Sequence, residues 1–126
     1  MSGERQRVES EVRLERPSAS VSVIQLIGEH DLATKTQIAD ALDAAFASGD
    51  SVAVDLTSAD FIDSSTLHVL VAASRRATEG GRGFSIVIGS NDAIRQVFEL
   101  TGLLTQLDAA ASVEAAIGAF DSNSAA

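Results

Sequence analysis

The 126-residue sequence contains no cysteine, tryptophan or tyrosine, and only two histidines. The absence of thiols excludes disulfides and thiolate metal sites, and two histidines make a histidine-based metal site improbable. Five phenylalanines are the only aromatic residues, so the chain also lacks the usual stacking surfaces for single-stranded nucleic acid. We therefore expect no metal and no cofactor, and a core built from aliphatic side chains.

Basic residues are also scarce, since nine Lys and Arg against eighteen Asp and Glu give a net charge of -9. Such a surface repels phosphate backbones and anionic lipid headgroups. No apolar run approaches the roughly 18 residues of a membrane span, and the first ten residues have no apolar stretch typical of a secretory signal. We expect a cytoplasmic protein that binds neither nucleic acid nor membranes, and whose partner is another protein.

The hydrophobic pattern predicts a single α/β domain over residues 9–120, with a flexible N-terminus at 1–8 and a flexible tail at 121–126. An antiparallel strand pair is expected at 9–16 and 21–28. Strands and helices then alternate, which predicts a mixed, mostly parallel sheet of about five strands with about four flanking helices. The later strands are SVAVDLT, FSIVIG and LTQLD; the helices span 34–48, 64–79, about 91–102 and about 112–120.

The segment DFIDSSTLHVL, residues 60–70, lies between a predicted strand and a predicted helix. In parallel sheets, binding sites form where strand ends are followed by helix starts. Taken as a pattern alone, the segment is typical of a helix cap, because Asp63 or Ser64 can accept backbone N–H groups at the start of the helix.

A second interpretation is a regulatory serine. Helical spacing places Ser65 on an exposed face with His68, Val69 and Ala72, so this face is available to a partner. A phosphate at a helix N-terminus is favoured by the helix dipole, and it adds roughly 1.5 to 2 negative charges. An interface built over Ser65 would then be disrupted by repulsion and desolvation.

Catalysis by Ser65 is not favoured by the sequence. A nucleophilic serine needs a base that is itself oriented by a third group, and no such group can be named beside His68. The G-x-S-x-G elbow of the hydrolases is also absent. We therefore predict that the protein is not an enzyme.

Four segments together resemble the STAS domain, in the branch of the bacterial anti-sigma factor antagonists: VSVIQLIGEHDLAT, VAVDLTSADFIDSSTLHVLVAA, GRGFSIVIGSNDAIRQVFELTGLLTQLD and SVEAAIGAF. The resemblance implies that the unphosphorylated protein binds an anti-sigma factor, a serine kinase with a GHKL-type ATPase fold, and so frees its sigma factor. Phosphorylation by that kinase on the second serine of a DSSG motif blocks binding, and a metal-dependent serine phosphatase reverses it.

Transferred to this sequence, the resemblance implies phosphorylation on Ser65, with Ser64 and Thr66 as lesser alternatives. Two positions depart from the family pattern: Thr66 replaces a glycine, and His30 replaces an apolar residue. The alternative is a STAS module that senses a nucleotide or other small molecule, or serves as a scaffold, without a phosphoswitch. The implied partner-binding residues are Asp31, Asp63, Ser64, Ser65, His68, Val69 and Ala72.

Overall fold

The computed structural model describes residues 10–125, with the side chains of 10–121. Its strands form one sheet in the order β1-β2-β3-β5-β6, with β4 paired to the end of β2. Only β1 and β2 are antiparallel, and the other pairs are parallel. This confirms the predicted mixed, mostly parallel sheet. The strands are β1 Glu11–Ser18, β2 Val21–His30, β3 Ser51–Asp55, β4 Ala59–Ile62, β5 Phe84–Val87 and β6 Ala109–Ala110.

Four helices flank the sheet, as predicted: α1 Lys35–Ala47, α2 Ser64–Glu79, α3 Asp92–Thr101 and α4 Val113–Ala125. Alternation along the strands supplies two apolar faces. Ile24 and Leu26 in β2 belong to the larger core cluster, which includes buried residues of α1, α2 and α3. Val21 and Val23 belong to a smaller cluster with α4. No helix within residues 10–125 is long and apolar enough to cross a membrane.

Several predicted boundaries were wrong. LTQLD is not a strand: Leu103–Thr105 form a 3-10 turn, and the short strand β6 follows at Ala109–Ala110. Its leucines serve instead as anchors of an irregular segment, since Leu107 is buried. Strand β4 was not predicted, because four residues with the burial order in-out-out-in show no strand alternation.

Strand β1 and helix α4 also end later than predicted. Pro17 and Ser18 belong to β1 rather than to the following turn. Helix α4 continues to Ala125, beyond its predicted end at Phe120. The predicted flexible N-terminus at 1–8 lies outside the described residues, as does the last residue of the predicted tail.

A buried carboxylate joins three strands at the end of the sheet where β3 begins, opposite the predicted site. Asp50, just before β3, is fully buried and accepts hydrogen bonds from Arg16 Nε and Nη2 at 2.7 and 2.9 Å. The hydroxyl of Ser22 in β2 donates to the same carboxylate at 2.7 Å. The Arg16 hydrogen bond is the main cause that lowers the pKa of Asp50. The group therefore fixes β1 and β2 to the start of β3.

We expect Asp50→Ala to lower the free energy of unfolding by about 1–3 kcal/mol, because it leaves the buried Ser22 hydroxyl without its acceptor. Asp43→Ala is the matched control, since Asp43 also pairs with an arginine but its side chain is 61% exposed, and we expect little change there. Urea unfolding at pH 7 measures both. The Asp50 contribution is present above its ordinary pKa of about 4 and is lost as pH falls below it. Equal losses in the two variants would contradict this assignment.

Candidate functional site

Parallel pairing of β2 with β4 brings the segments that contain Asp31 and Asp63 to one end of the sheet, where these two strands finish. His30 at the end of β2 pairs with Ile62 at the end of β4. Asp31 and Asp63 follow these two residues directly, so both leave the sheet at the same end. The backbone N–H of Asp63 donates to the His30 carbonyl at 3.1 Å and closes the junction.

Asp63 is the N-cap of α2 and is one of the two capping residues that the sequence pattern predicts. Its backbone is extended, and its Oδ1 accepts the backbone N–H of Thr66 at 3.0 Å. The same oxygen accepts the hydroxyl of Ser65 at 2.8 Å. The Thr66 N–H is the main cause that lowers the pKa of Asp63, with the Ser65 hydroxyl acting in the same direction. The carboxylate is therefore held ionised beside the Ser65 hydroxyl.

The three hydroxyls after Asp63 differ in accessibility. Ser64 is exposed, Ser65 is half-buried and Thr66 is fully buried. The Thr66 hydroxyl donates to the His30 carbonyl at 3.3 Å, so this side chain fills the space between α2 and the end of β2. The burial of Thr66 argues against its phosphorylation and leaves Ser65 and Ser64 as the accessible hydroxyls.

His30 lies in the core beneath this turn. Its ring is fully buried, with Nε2 2.8 Å from the carbonyl oxygen of Ile27 and Nδ1 3.0 Å from Thr34 Oγ1. A carbonyl oxygen only accepts, so Nε2 carries the proton. Burial lowers the pKa of His30, opposed by the Ile27 carbonyl and the charge of Asp31. The histidine that replaces an apolar family residue is thus a hydrogen-bonded core residue.

Asp31 is exposed and caps the short 3-10 turn Leu32–Thr34, where its Oδ1 accepts the Ala33 N–H at 2.9 Å. Two large apolar residues are exposed near the site, Leu32 in this turn and Phe61 in β4. The residues Leu32 and Phe61 are 70% and 49% exposed. Neither was identified from the sequence as a surface residue. The available signal was closeness to a capping aspartate, because Leu32 follows Asp31 and Phe61 lies two residues before Asp63. Large exposed apolar side chains of this kind are typical of protein interfaces.

The face of α2 beyond Ser65 is partly accessible, and Val69 on it packs against the larger core. His68 and Ala72 are exposed and Val69 is half-buried. A groove of about 230 Å³ lies beside them, between α1 and α2. At its far end the guanidinium of Arg76 stacks over Phe46 at 4.8 Å and pairs with Asp43 at 2.6 Å. The groove is lined by Ala39, Leu42, Asp43, Phe46, Val69, Ala72, Ala73 and Arg76.

A larger, polar cavity of about 560 Å³ lies where β3 and β5 end. Asn91 crosses its base and donates from Nδ2 to the carbonyl oxygens of Leu56 and Ala59 at 2.9 and 2.8 Å. Within the described part of the chain, no three His, Asp or Glu side chains are arranged to hold a metal ion. The cavity is lined by Thr57, Ser58, Ala59, Asp60, Gly89, Ser90, Asn91 and Ala111.

Comparisons with known proteins agree with this fold. The family model described as "Mlab, STAS domain" matches residues 13–111. An anti-sigma factor antagonist from Mycobacterium paratuberculosis is 25% identical, with a TM-score of 0.79 over 90% of this chain and 95% of that one. SpoIIAA in its unphosphorylated form is 24% identical, with a TM-score of 0.74 over 89% and 97% of the two chains. SpoIIAA of Bacillus in its phosphorylated form is 24% identical, with a TM-score of 0.67 over 86% and 98%. No curated protein matches the sequence.

We expect the buried His30 to make the protein less stable as pH falls below about 6.5, where the unfolded chain takes up a proton that the native ring resists. The loss ends once pH has fallen below the lowered native pKa. His30→Gln removes the titrating ring, so its unfolding free energy is flatter between pH 7 and pH 5. His68→Gln, an exposed histidine on α2, is the matched control. Urea unfolding across this range checks the expectation, and an unchanged slope in His30→Gln would refute it.

We expect Thr66→Gly, which introduces the residue that the resemblance implies at this position, to lower the free energy of unfolding by about 1–2 kcal/mol. The change removes a buried side chain and places a flexible residue in the first turn of α2. Ser64→Gly is the control, because it makes a comparable change in the same turn at an exposed position. Chemical denaturation measures both variants. A loss in Ser64→Gly as large as in Thr66→Gly would show that backbone flexibility, and not packing of Thr66, is responsible.

Proposed function

The chain belongs to the STAS domain family, and we propose that it is an anti-sigma factor antagonist controlled by phosphorylation of Ser65. In this proposal the unphosphorylated protein acts in the cytoplasm and binds an anti-sigma factor, a serine kinase with a GHKL-type ATPase fold. Binding frees the sigma factor, which the protein itself does not contact. Phosphorylation of Ser65 by the kinase ends the binding, and a serine phosphatase restores it.

The observation that carries the proposal is the position of the Ser65 hydroxyl. It lies in the first turn of α2, is partly accessible, and donates to the ionised carboxylate of Asp63 at 2.8 Å. A phosphorylated Ser65 has no proton to donate on Oγ, and its phosphate carries the same sign of charge as Asp63. Repulsion therefore directs the phosphate away from the Asp63 carboxylate, towards the surface. The N-terminal N–H groups of α2 still favour an anion there.

The surroundings of Ser65 suit a protein partner. Leu32 and Phe61 offer exposed apolar area at the same end of the sheet as Ser65. Apolar contact and nearby charge combine in many protein interfaces, where charge mainly sets specificity and encounter rate. We propose a partner surface that combines basic and apolar side chains. On this chain it contacts Asp31, Leu32, Phe61, Asp63, Ser64, Ser65, His68, Val69 and Ala72.

We propose a binding role and no catalysis for Ser65. Among the described residues, the side chain that hydrogen bonds to its hydroxyl is Asp63, which also caps α2 through the Thr66 N–H. Activation of a serine nucleophile requires a base that a third group orients towards it. A carboxylate engaged as a helix cap suits a structural and electrostatic role better.

A second candidate function is small-molecule sensing, and the polar cavity of about 560 Å³ beside Asn91 favours it. Its position beyond the carboxyl ends of parallel strands is where ligands bind in many α/β proteins. Asp60 in its lining and Asp92 in the first turn of α3 disfavour an anionic ligand such as a nucleotide. We therefore rank this candidate below the switch.

The proposed switch predicts that Ser65→Glu loses binding to the cognate kinase by at least about tenfold, while Ser65→Ala binds like the wild type. GHKL-type kinases encoded in the same genome are purified and titrated against the three proteins by calorimetry. The wild type is then incubated with each kinase and ATP, and the phosphorylated residue is mapped by mass spectrometry. We expect the phosphate on Ser65.

Ser48→Glu is the matched control, because it adds the same charge at an exposed position after α1, at the opposite end of the sheet from Ser65. Equal affinity of all variants for a kinase that binds would refute the phosphoswitch. Absence of binding to any GHKL-type kinase, together with a thermal shift on addition of a nucleotide, would favour the second candidate. Phosphate found on Ser64 would keep the switch but move its acceptor.

A further inference from the structure

Strand β1 is an edge of the sheet that no other strand covers within residues 10–125. It pairs only with β2, over the register from Glu11↔Ile27 to Ser18↔Val21. All of its residues except Val12 are exposed, including the large apolar residue Leu14 at 44%. An edge strand presents unpaired N–H and C=O groups that can pair with another strand. This edge has the length and the hydrogen-bonding groups to accept one.

The charges along β1 are complementary to a second copy of the same strand. Glu11, Arg13 and Glu15 alternate in sign on one face, while Val12 and Leu14 lie on the other. In an antiparallel pair related by a two-fold axis at Leu14, Leu14 faces Leu14 of the second copy. Arg13 then faces Glu15 of the second copy, and Glu15 faces its Arg13. Opposite charges directly across an antiparallel pair stabilise it, and like charges destabilise it.

The charge of the rest of the molecule also favours contact at this edge. Residues 1–16 contain four arginines and four glutamates, so the whole net charge of -9 resides in residues 17–126. The rest of the surface carries net negative charge, so two copies that approach through it are on average repelled. The β1 edge is the long neutral stretch through which two copies can meet with least repulsion. In the free chain Arg13 pairs with Glu11 of its own strand at 2.6 Å, with both side chains about half exposed, so this pair can exchange partners at little cost.

We propose that two copies of this chain form an antiparallel dimer by pairing their β1 strands about Leu14, which extends the sheet across both molecules. The bulge between Glu15 and Ser18, together with Pro17, limits the paired segment to about six or seven residues. An interface of that size lies below about 1,200 Å², which is typical of weak complexes. The dimer therefore forms at high protein concentration. The inference rests on the β1 edge alone and does not depend on the proposed function.

Charge reversal tests the pairing. The monomer mass is 13.0 kDa, and sedimentation equilibrium from about 10 µM to about 1 mM should show the wild type rising towards twice that mass. Arg13→Glu places two glutamates opposite each other on both sides of the axis, so dimerisation should weaken at least about tenfold. The double variant Arg13→Glu with Glu15→Arg restores opposite charges and should recover it. A wild type that stays monomeric throughout, or a double variant no better than the single one, would overturn the proposal.

Cross-linking tests the register, and the absence of native cysteine makes it unambiguous. With Leu14→Cys, the two thiols meet at the axis and should form an intermolecular disulfide under mild oxidation. In the Val12→Cys control, the thiols lie about four residues apart along the paired strands, roughly 13 Å, and should react slowly. Faster cross-linking of Val12→Cys than of Leu14→Cys would overturn the register. Circular dichroism of each variant verifies that the monomer remains folded.

Discussion

The backbone carbonyl of His30 is the acceptor on which the geometry of the site depends. It receives the N–H of Asp63 and the hydroxyl of Thr66, and it lies at the last residue of β2, one residue before Asp31. These bonds fix the start of α2 to a strand that continues into the centre of the sheet. The Ser65 hydroxyl is therefore positioned by the core and not by a mobile loop. The Thr66 hydroxyl takes part in this junction, whereas the His30 carbonyl belongs to the main chain and does not depend on the side chain at that position.

The His30 ring is buried beneath the junction, and a buried imidazole needs a partner for each nitrogen. Ile27 and Thr34 provide them. An apolar residue at this position needs no such partners, so the histidine makes the end of β2 depend on two additional hydrogen bonds. Thr66 acts in the same direction, since glycine has no side chain to fill the space beneath α2. The Thr66 side chain thus ties the turn that carries Ser65, the proposed phosphoacceptor, to the end of β2.

Much of the fold was predictable from the sequence, for identifiable reasons. SVAVDLT and FSIVIG are nearly continuous apolar runs, which indicates strands covered on both faces, and Asp63 precedes a helical repeat. Strand β4 was missed because ADFI has neither an alternating nor a continuous pattern. LTQLD was misassigned because its leucines suit a strand as well as an irregular anchored segment. At the site, the helical spacing of α2 was enough to predict that Ser65 is accessible. The burial of Thr66 and the exposure of Phe61 depend on the β2–β4 pairing, which the sequence alone does not reveal.

The buried ion pair and the proposed regulatory serine lie at opposite ends of the sheet. Asp50, the buried charge that holds β1, β2 and β3 together, lies at the end where the parallel strands begin. Ser65 and Asp63 lie where β2 and β4 finish. A charge added at Ser65 in the proposed switch is therefore separated by the length of the sheet from Asp50. It acts on the exposed start of α2, where the helix dipole favours an anion and where Asp63 is the nearest repulsive group. Such an arrangement allows the surface presented to a partner to become more negative while the core and its buried ion pair stay intact.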